Sequence, residues 1–466
     1  MKIQSVQIKN YRSIEDLTLN FPPLKDGSLT YGLIGLNEAG KSSILKALAL
    51  KDALIEVNTR DFRGDKPIEI IYILCPNENE IENYRRIASG EELSTEVKGV
   101  SFKQITCKVS FDKSSPRTRN FTIDISDQKT EVIEKLEEKL KFKIVEEIPN
   151  SIFWTAQDRY LIDKPINQSE FAASPDSVSI PLKNCFLLAG IQNISQHITS
   201  LTETTEVEEL QNLLSEKVTE HIKTVWPNHP IQITFYISNN LINFHVKDLE
   251  TKGKAKTADQ RSDGFKQFVS FLLTISAQSK NQELTNSVLL LDEPETHLHP
   301  QAQEYLLSEL IKITANDKNN ICLFATHSLF MIDKADLGRN LKVSKSSDKT
   351  TAESFANKVS SYSKVAFEVY DIPTTDLHNE LYGMLQARED IYTEKQFDNY
   401  LGSKGLKGDL PYIKIKKDQT TETYNVTLPV KIRNIIHHPE NKNNSFSQQE
   451  LRNSIIDLLR VAEGKI

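Results

Sequence analysis

Residues 35–42 read GLNEAGKS, between an apolar stretch at 31–34 and the run SSILKALALKDAL, whose apolar residues recur at helical spacing. The octapeptide fits the pattern G-x-x-x-x-G-K-[ST], in which a glycine-bearing loop joins a strand to a helix. In such a loop the backbone N–H groups and the helix N-terminus hold phosphates, the lysine reaches the β and γ oxygens, and the hydroxyl ligates Mg²⁺. The sequence therefore predicts a nucleotide site with these members: Gly35, Asn37, Glu38, Ala39, Gly40, Lys41, Ser42 and Ser43.

A second stretch, SVLLLDE at 287–293, is an apolar strand that ends in two carboxylates. Beside a phosphate-binding loop this pattern predicts that Asp292 holds Mg²⁺ through water and that Glu293 polarises the attacking water as general base. A helical pattern at 300–315 and another apolar strand, ICLFAT at 321–326, follow. Strands that alternate with helices and stay apolar throughout predict an α/β fold with a parallel sheet covered on both faces.

Residues 292–300 read DEPETHLHP, which resembles the DEPExxLHP run of ABC-type ATPases of the OLD, RecF and SMC-like group, also described as AAA15-type. Residues 261–265, RSDGF, resemble the degenerate signature motif of that group. The stretch ATHS at 325–328 is similar to its switch-histidine motif, and KNYRSI at 9–14 to its first-strand motif. The resemblance covers residues 1 to about 340 through these short motifs, and their order makes it specific.

The resemblance implies an ATPase head with a P-loop sheet flanked by helices and a β subdomain, ATP and Mg²⁺ as cofactors, and a homodimer or higher homo-oligomer. Ser262 and Gly264 would contact the γ-phosphate held by a second subunit, and His327 would sense the γ-phosphate beside Glu293. Arg12 would lie near the nucleotide, although a surface arginine fits the same pattern. Gln157 is one candidate for the group's Q-loop glutamine, but no spacing singles it out.

Composition limits the partners of the chain, which has 57 Lys+Arg against 64 Asp+Glu in 466 residues and a formal charge of −7. Because cations are not in excess, a nucleic-acid site would have to be a local patch. No stretch approaches the ~18 uncharged apolar residues that a membrane span requires. The four cysteines form no C-x-x-C pair. We therefore expect a cytoplasmic protein without a membrane partner.

The chain is predicted to consist of two parts. Residues 1–340 form the ATPase head, with a mixed α/β insertion at about 62–257 that contains a β-hairpin around 238–240. Residues 341–466 form a mainly helical C-terminal effector or partner-docking domain. The polar run KVSKSSDKTTAES at 342–354 is typical of a linker or mobile loop.

The stretch VKIRNIIHHPEN at 430–441 carries a second candidate site. Arg433, Asn434 and His438 resemble the R-x4–6-H motif of HEPN ribonucleases. Pro439 disfavours the α conformation at His438, so the helix should end there with the imidazole at its negative end. That position would suit general acid chemistry, with Arg433 holding the scissile phosphate. A pair that packs the domain fits the same pattern.

Residues 366–373 and 378–383 resemble the C-terminal region of compact bacterial ATPases from phage-defence systems, a group that includes the PARIS sensor ATPase. One hypothesis is therefore an ATP-driven switch that responds to a phage protein and controls a separate nuclease or toxin subunit. A second is an ATP-regulated RNase that uses Arg433 and His438, and a third is a RecF-like DNA-repair ATPase. Five lysines could touch RNA or DNA, although a solvated face is the favoured explanation for them: Lys404, Lys407, Lys414, Lys416 and Lys417.

Overall fold

The computed structural model describes residues 1–89, 100–126, 130–162, 164–225, 231–249, 256–257, 266, 269–270, 273, 284–315, 318–355, 361–416 and 418–466. The chain divides into two compact units, Met1–Asn357 and Lys358–Ile466. In the described residues, no helix combines the length and the apolar character that crossing a membrane requires.

The first unit opens with an antiparallel sheet whose strand order is β2-β1-β4-β5-β6. Its strands are β1 (Lys2–Tyr11), β2 (Ile14–Asn20), β4 (Ile68–Cys75), β5 (Ile105–Asp112) and β6 (Ser115–Asp124). Side chains of β4 and β5 alternate between buried and partly exposed, because the sheet covers the core with one face only.

The central sheet has the order β15-β14-β3-β13-β12-β7. Its strands are β3 (Thr30–Ile34), β7 (Asn150–Thr155), β12 (Ser287–Asp292), β13 (Ile321–Thr326), β14 (Asn340–Ser346) and β15 (Lys349–Ser354). All neighbours pair in parallel except β14 and β15, which form an antiparallel hairpin. Strands β3 and β13 are buried at every position, as expected for a parallel sheet covered on both faces. The α/β prediction is confirmed.

A third sheet contains β8 (Ile166–Asn167), β9 (Ile231–Ser238), β10 (Leu241–Asp248) and β11 (Lys256–Thr257). Strands β9 and β10 form the predicted hairpin, which is therefore confirmed. Its turn residues Asn239 and Asn240 have φ of 51° and 60°, a left-handed conformation that asparagine tolerates and two-residue hairpins require.

Helices surround these sheets. Those with bounds in the described part of the first unit are Lys41–Ala49, Glu78–Ser89, Glu131–Glu147, Gln168–Ala173, Pro175–Val178, Ile180–Leu188, Ile194–Ser200, Thr204–Val225 and Pro300–Thr314. Lys41–Ala49 lies against β7, β12 and β13, so its N-terminus is fixed beside the carboxyl ends of those strands.

Two expectations about domain organisation are corrected. The region 62–257 is not a separate insertion, because β4 pairs with β1 and β7 pairs with β12. The polar run at 342–354 is not a linker: it forms the β14–β15 hairpin, and the first unit extends to Asn357 rather than to 340. Its strand β14 pairs with β3, and β15 forms the sheet edge, where one face can carry polar residues.

The second unit is mainly helical, with helices Tyr362–Tyr370, Thr375–Glu389, Glu394–Ser403, Leu428–His437 and Gln448–Ala462. A short antiparallel hairpin, β16 (Leu410–Ile415) and β17 (Thr421–Val426), interrupts them. Its core is apolar and includes Leu381, Phe397, Val430 and Leu458. A capping box of Ser447 and Glu450 begins the last helix.

Candidate nucleotide-binding site

The carboxyl ends of β3, β12 and β13 meet at one edge of the central sheet, because these strands are parallel neighbours. The phosphate loop, residues 35–40, follows β3. Asp292 ends β12 and Glu293 follows it, while His327 follows β13. The topology therefore gathers the motifs that lie up to 292 residues apart in the chain (positions 35 and 327) at one place.

Two glycines of the phosphate loop are required by the β14–β15 hairpin. A Cβ atom on Gly35 would overlap the carbonyl oxygen of Val343. Gly40 has φ of 106°, and a Cβ atom there would lie 2.8 Å from Cγ2 of Thr350. Both positions therefore exclude larger residues, one through a close approach and the other also through its left-handed backbone.

Thr350 also bonds to the phosphate loop. Its Oγ1 lies 3.1 Å from the carbonyl oxygen of Ala39, to which it donates, and 2.8 Å from Oγ of Ser13. The N–H of Thr350 donates to the carbonyl of Ser13 at 2.9 Å. The hairpin thus joins the phosphate loop to the turn that follows β1.

Lys41 lies in the centre of the site and is 4% exposed. Its Nζ donates to the carbonyl oxygens of Gly35 and Leu36 at 2.9 and 3.0 Å, and it lies 3.1 Å from Nε2 of His327. Burial lowers the pKa of the Lys41 ammonium to about 8, against the opposing effect of the nearby carboxylates, of which Glu293 is the strongest. A bound phosphate would add negative charge beside this ammonium and so favour its protonated form.

Ser42 and Asp292 form the pair that could hold a metal ion. Oγ of Ser42 donates to Oδ1 of Asp292 at 2.8 Å, and burial raises the pKa of the Asp292 carboxyl. A hydroxyl and a carboxylate are oxygen ligands of the kind that Mg²⁺ prefers. The donor set therefore fits the magnesium ion predicted for these two residues.

Glu293 and His327 lie side by side. Oε1 of Glu293 is 2.9 Å from Nε2 of His327, and the N–H of Glu293 donates to the carbonyl of Ala325 at 3.0 Å. Burial, and next the charge of Lys41, lowers the pKa of His327. A neutral imidazole has one N–H and one bare nitrogen, so it can donate to the carboxylate of Glu293 and accept from the ammonium of Lys41.

Glu295 is a buried carboxylate that the motif comparison did not single out. Its Oε1 accepts from Oγ1 of Thr326 and from the N–H of His327, the latter at 3.3 Å. Burial raises the pKa of its carboxyl to about 7. Its position in DEPE was visible in the sequence, but its contact with β13 depends on the fold.

A cleft of about 870 Å³ opens over the phosphate loop. The predicted residues that line it are Arg12, Asn37, Glu38, Ala39, Gly40, Lys41, Ser42, Ser43, Glu293 and His327. Arg12 has φ of 52°, and its Nε donates to Oδ1 of the buried Asp61 at 2.8 Å. This bond holds the guanidinium at the cleft wall.

Other residues of the cleft were not predicted as site residues from the sequence. They are Ser13, Arg60, Phe62, Arg63, Gly64, Lys345 and Asp348. Several are basic, which suits a polyanionic ligand. Ser13 lies within the motif-like stretch at 9–14, and the others lie in irregular segments and in the hairpin, where no motif marks them. Arg63 reaches the hairpin by donating from Nη1 to the carbonyl of Asp348 at 2.8 Å.

Gln157 lies two residues past the end of β7, and Thr155 of that strand pairs with Asp292. It therefore lies at the same sheet edge as the carboxylates. This position follows from the parallel pairing of β7 and β12, whereas sequence spacing alone did not single out Gln157. Ser262 and Gly264 lie outside the described residues.

The C-terminal motif residues have separate partners. The guanidinium carbon of Arg433 lies 5.6 Å from the ring centre of Tyr382. Asn434 is 2% exposed, and its Nδ2 donates to Oε2 of Glu394 at 3.1 Å. Nδ1 of His438 is 3.3 Å from Oε1 of Glu440. The helix ends at His437, as Pro439 predicted.

The sequence of residues 1–332 matches the family model described as AAA ATPase domain. A protein of Methanocaldococcus jannaschii described as uncharacterized is 30% identical over 127 residues, which are 26% of this chain and 32% of that relative's length. The chain therefore matches about a third of that protein.

Two solved SMC heads are more distantly similar. The SMC head bound to the C-winged helix domain of ScpA is 12% identical, with a TM-score of 0.46, over 77% of this chain and 98% of that one. The SMC head domain from Thermotoga maritima is 11% identical, with a TM-score of 0.38, over 76% and 99%. Neither similarity carries the family assignment, which rests on residues 1–332.

Proposed function

The chain belongs to the AAA ATPase domain family, and from that premise we propose that it binds and hydrolyses ATP as an ABC-type switch that dimerises head-to-tail. One observation carries the proposal: Lys41, Ser42 and the Glu293–His327 pair line the cleft at one edge of the sheet, and Asp292 is bonded to Ser42 there. Each of these side chains has a role in phosphoryl transfer to water.

Each group of cleft residues would have its own role in ATP hydrolysis. The phosphate loop would hold the β- and γ-phosphates through its N–H groups and Lys41, whose ammonium would exchange its carbonyl partners for phosphate oxygens. Glu293 would orient a water molecule and accept its proton. His327, which already contacts both Lys41 and Glu293, would bond to the γ-phosphate and keep Glu293 in place.

Ser42 and Asp292 would hold Mg²⁺. When bound, the ion would neutralise charge that develops on the phosphate oxygens. Ser42 would hold the ion through its hydroxyl oxygen, and Asp292 would hold it through water.

Supply of Ser262 and Gly264 by a second subunit is part of the proposal. ATP between two heads would close them, and hydrolysis would let them separate, so that the nucleotide state sets the assembly state. The family motif at 261–265 supports this step.

For biological role we propose anti-phage defence, with the second unit as a docking platform for a separate nuclease or toxin. The support is the resemblance of residues 366–373 and 378–383 to phage-defence ATPases. The platform role is favoured over an RNase of this chain because Asn434, the polar second residue of the motif, is buried and bonded to Glu394. A phage protein as trigger belongs to the same proposal.

The test of the ATPase proposal is release of phosphate from ATP with Mg²⁺. Wild-type protein should hydrolyse ATP, and Lys41→Ala should abolish both binding and turnover because it removes the central phosphate contact. Lys312→Ala is the matched control, since that lysine is exposed and pairs with Glu309 on a helix surface. ATP turnover by Lys41→Ala equal to that of wild type would contradict the ATPase proposal.

The defence role needs a separate experiment. A bacterial host that carries the chain with its neighbouring genes should resist phage, as measured by plaque counts, and Lys41→Ala should lose the resistance. Unchanged plaque counts across a broad phage panel would contradict the role while leaving the ATPase proposal intact.

A further inference from the structure

Glu295 joins two segments of the nucleotide site from within the core. It is 5% exposed, whereas Glu293 and His327 line the cleft. Its Oε1 accepts the hydroxyl of Thr326 and the N–H of His327. The same carboxylate oxygen therefore holds both the side chain before the switch histidine and the backbone of the histidine itself.

The contact belongs to a closed network around the switch segment, residues 326–328. The N–H of Ser328 donates to Oγ1 of Thr326 at 2.9 Å, and its hydroxyl donates to Oε1 of Gln303. Nε2 of Gln303 in turn donates to the carbonyls of Leu298 and Glu295, at 2.8 and 3.5 Å. The segment is thus tied at both ends to the DEPETHLHP stretch.

The second oxygen of Glu295, Oε2, has no hydrogen-bond partner among the described residues. Burying a carboxylate with one bare oxygen is unfavourable, and burial raises its pKa to about 7. A glutamine would fill nearly the same space without this cost. What the carboxylate adds is a charge on Oε1, and hydrogen bonds to a charged acceptor are roughly twice as strong as neutral ones.

We propose that Glu295 is the positioning residue of the switch histidine: its carboxylate fixes the backbone of residues 326–327, so that the imidazole of His327 stays between Lys41 and Glu293. The inference rests on the proposed ATPase function and deepens it. Glu295 would not touch the nucleotide. It would act on turnover through His327, because a histidine whose backbone shifts no longer lies 2.9 Å from Glu293.

The experiment combines amide hydrogen exchange with steady-state kinetics on the full chain. Glu295→Gln removes the charge and keeps the shape, and Thr326→Val removes the donor and keeps the shape. Thr326→Ser restores the hydroxyl. Glu304→Gln is the control, since it makes the same chemical change at an exposed glutamate that pairs with Lys334.

Exchange should accelerate about tenfold at the amides of His327 and Ser328 in Glu295→Gln and Thr326→Val, because these N–H groups donate to Glu295 and Thr326. In both variants kcat should fall about tenfold while KM for ATP stays near the wild-type value, because the phosphate loop is untouched. Thr326→Ser and Glu304→Gln should match wild type in both measurements.

Unchanged exchange at residues 327–328 in Glu295→Gln would overturn the inference, and so would faster exchange with an unchanged kcat. In either case wild-type turnover that depends on Lys41 would leave the ATPase proposal standing. A wild-type chain without ATP hydrolysis would overturn both.

Discussion

Oε1 of Glu293 lies 2.9 Å from Nε2 of His327, so the residue proposed as general base and the residue proposed as γ-phosphate sensor form a pair. The two follow neighbouring strands, β12 and β13, whose register sets Asp292 opposite Ala325. The pair is therefore a consequence of sheet register, and removal of either partner should act on hydrolysis more than on binding.

Glu293→Gln tests the first half of this pair. Glutamine keeps the shape but cannot accept a proton, so kcat should fall by about a hundredfold or more while ATP binding persists. The variant should then accumulate as an ATP-bound dimer, measured by size-exclusion chromatography with and without ATP. Glu304→Gln should behave as wild type, and normal turnover in Glu293→Gln would contradict its role as base.

Ser262 should complete the site of the neighbouring subunit. Lys41→Ala and Ser262→Arg chains should each be inactive alone, because each homodimer lacks one half of every site. A mixed dimer has one interface with an intact phosphate loop facing an intact signature, so mixing should restore part of the hydrolysis. Confirmed heterodimers that stay inactive would argue against the head-to-tail arrangement.

Thr350 should stabilise the phosphate loop from the hairpin. Its hydroxyl bonds to Ala39 and Ser13 while its side chain occupies the space beside Gly40. Thr350→Val should cost about 1–2 kcal/mol of unfolding free energy, because it leaves a buried carbonyl unpaired, and should weaken ATP affinity. Thr351→Val, at the exposed neighbour in β15, is the control. Urea unfolding and nucleotide titration give the two values, and equal results for both variants would show that the hydroxyl contributes nothing.

The contact between Thr350 and Gly40 also shows what the sequence could reveal of this fold. The phosphate loop, the acidic strand end and the switch histidine were predictable because each is a local pattern of residue types. The hairpin at 342–354 was not, since its polar run is typical of a loop, and only pairing with β3 makes it a strand. Pairing across more than 300 residues, as between Ser13 and Thr350, leaves no local signal.

Glu295 illustrates the same limit within a motif. DEPE in the sequence marks an acidic turn, but the burial that sets the pKa of the fourth residue depends on β13 beside it. Arg63, Lys345 and Asp348 likewise come to the cleft from segments without a pattern. The residue types of the site were therefore predictable where they form a local sequence pattern. Their burial and electrostatic environment were not, because these depend on the fold.

Glu295 should make the stability of the first unit depend on pH. Its folded pKa of about 7 is raised above the ordinary value of 4.5, with Glu293 adding to the effect of burial and with Lys41 and His327 nearby. The folded chain thus holds the proton more tightly, and stability is lost as pH rises from 4.5 through 7.

Glu295→Gln has no such titration, so its unfolding free energy should exceed that of wild type by about 3 kcal/mol above pH 7 and by little at pH 4.5. Denaturant unfolding at both pH values measures the difference. A variant that is more stable yet slower in turnover would be the outcome expected of a strained functional residue. A difference in unfolding free energy between Glu295→Gln and wild type that does not grow with pH would contradict the raised pKa of Glu295.

Substitutions in the C-terminal motif should show whether its residues pack the second unit or cleave RNA. Asn434 is buried and bonded to Glu394, so Asn434→Ala should lower the unfolding free energy of the second unit by about 1–3 kcal/mol. His438 is 57% exposed, and its loss should cost little beyond a helix-dipole contribution of about 0.3–1 kcal/mol.

If the unit is a docking platform, purified chain with ATP should leave total RNA and tRNA intact, and Arg433→Ala should weaken effector binding through the lost contact with Tyr382. Cleavage by wild type that His438→Ala and Arg433→Lys both remove, with folding and ATPase activity retained, would instead establish the RNase, because lysine keeps the charge but not the fork that grips a phosphate.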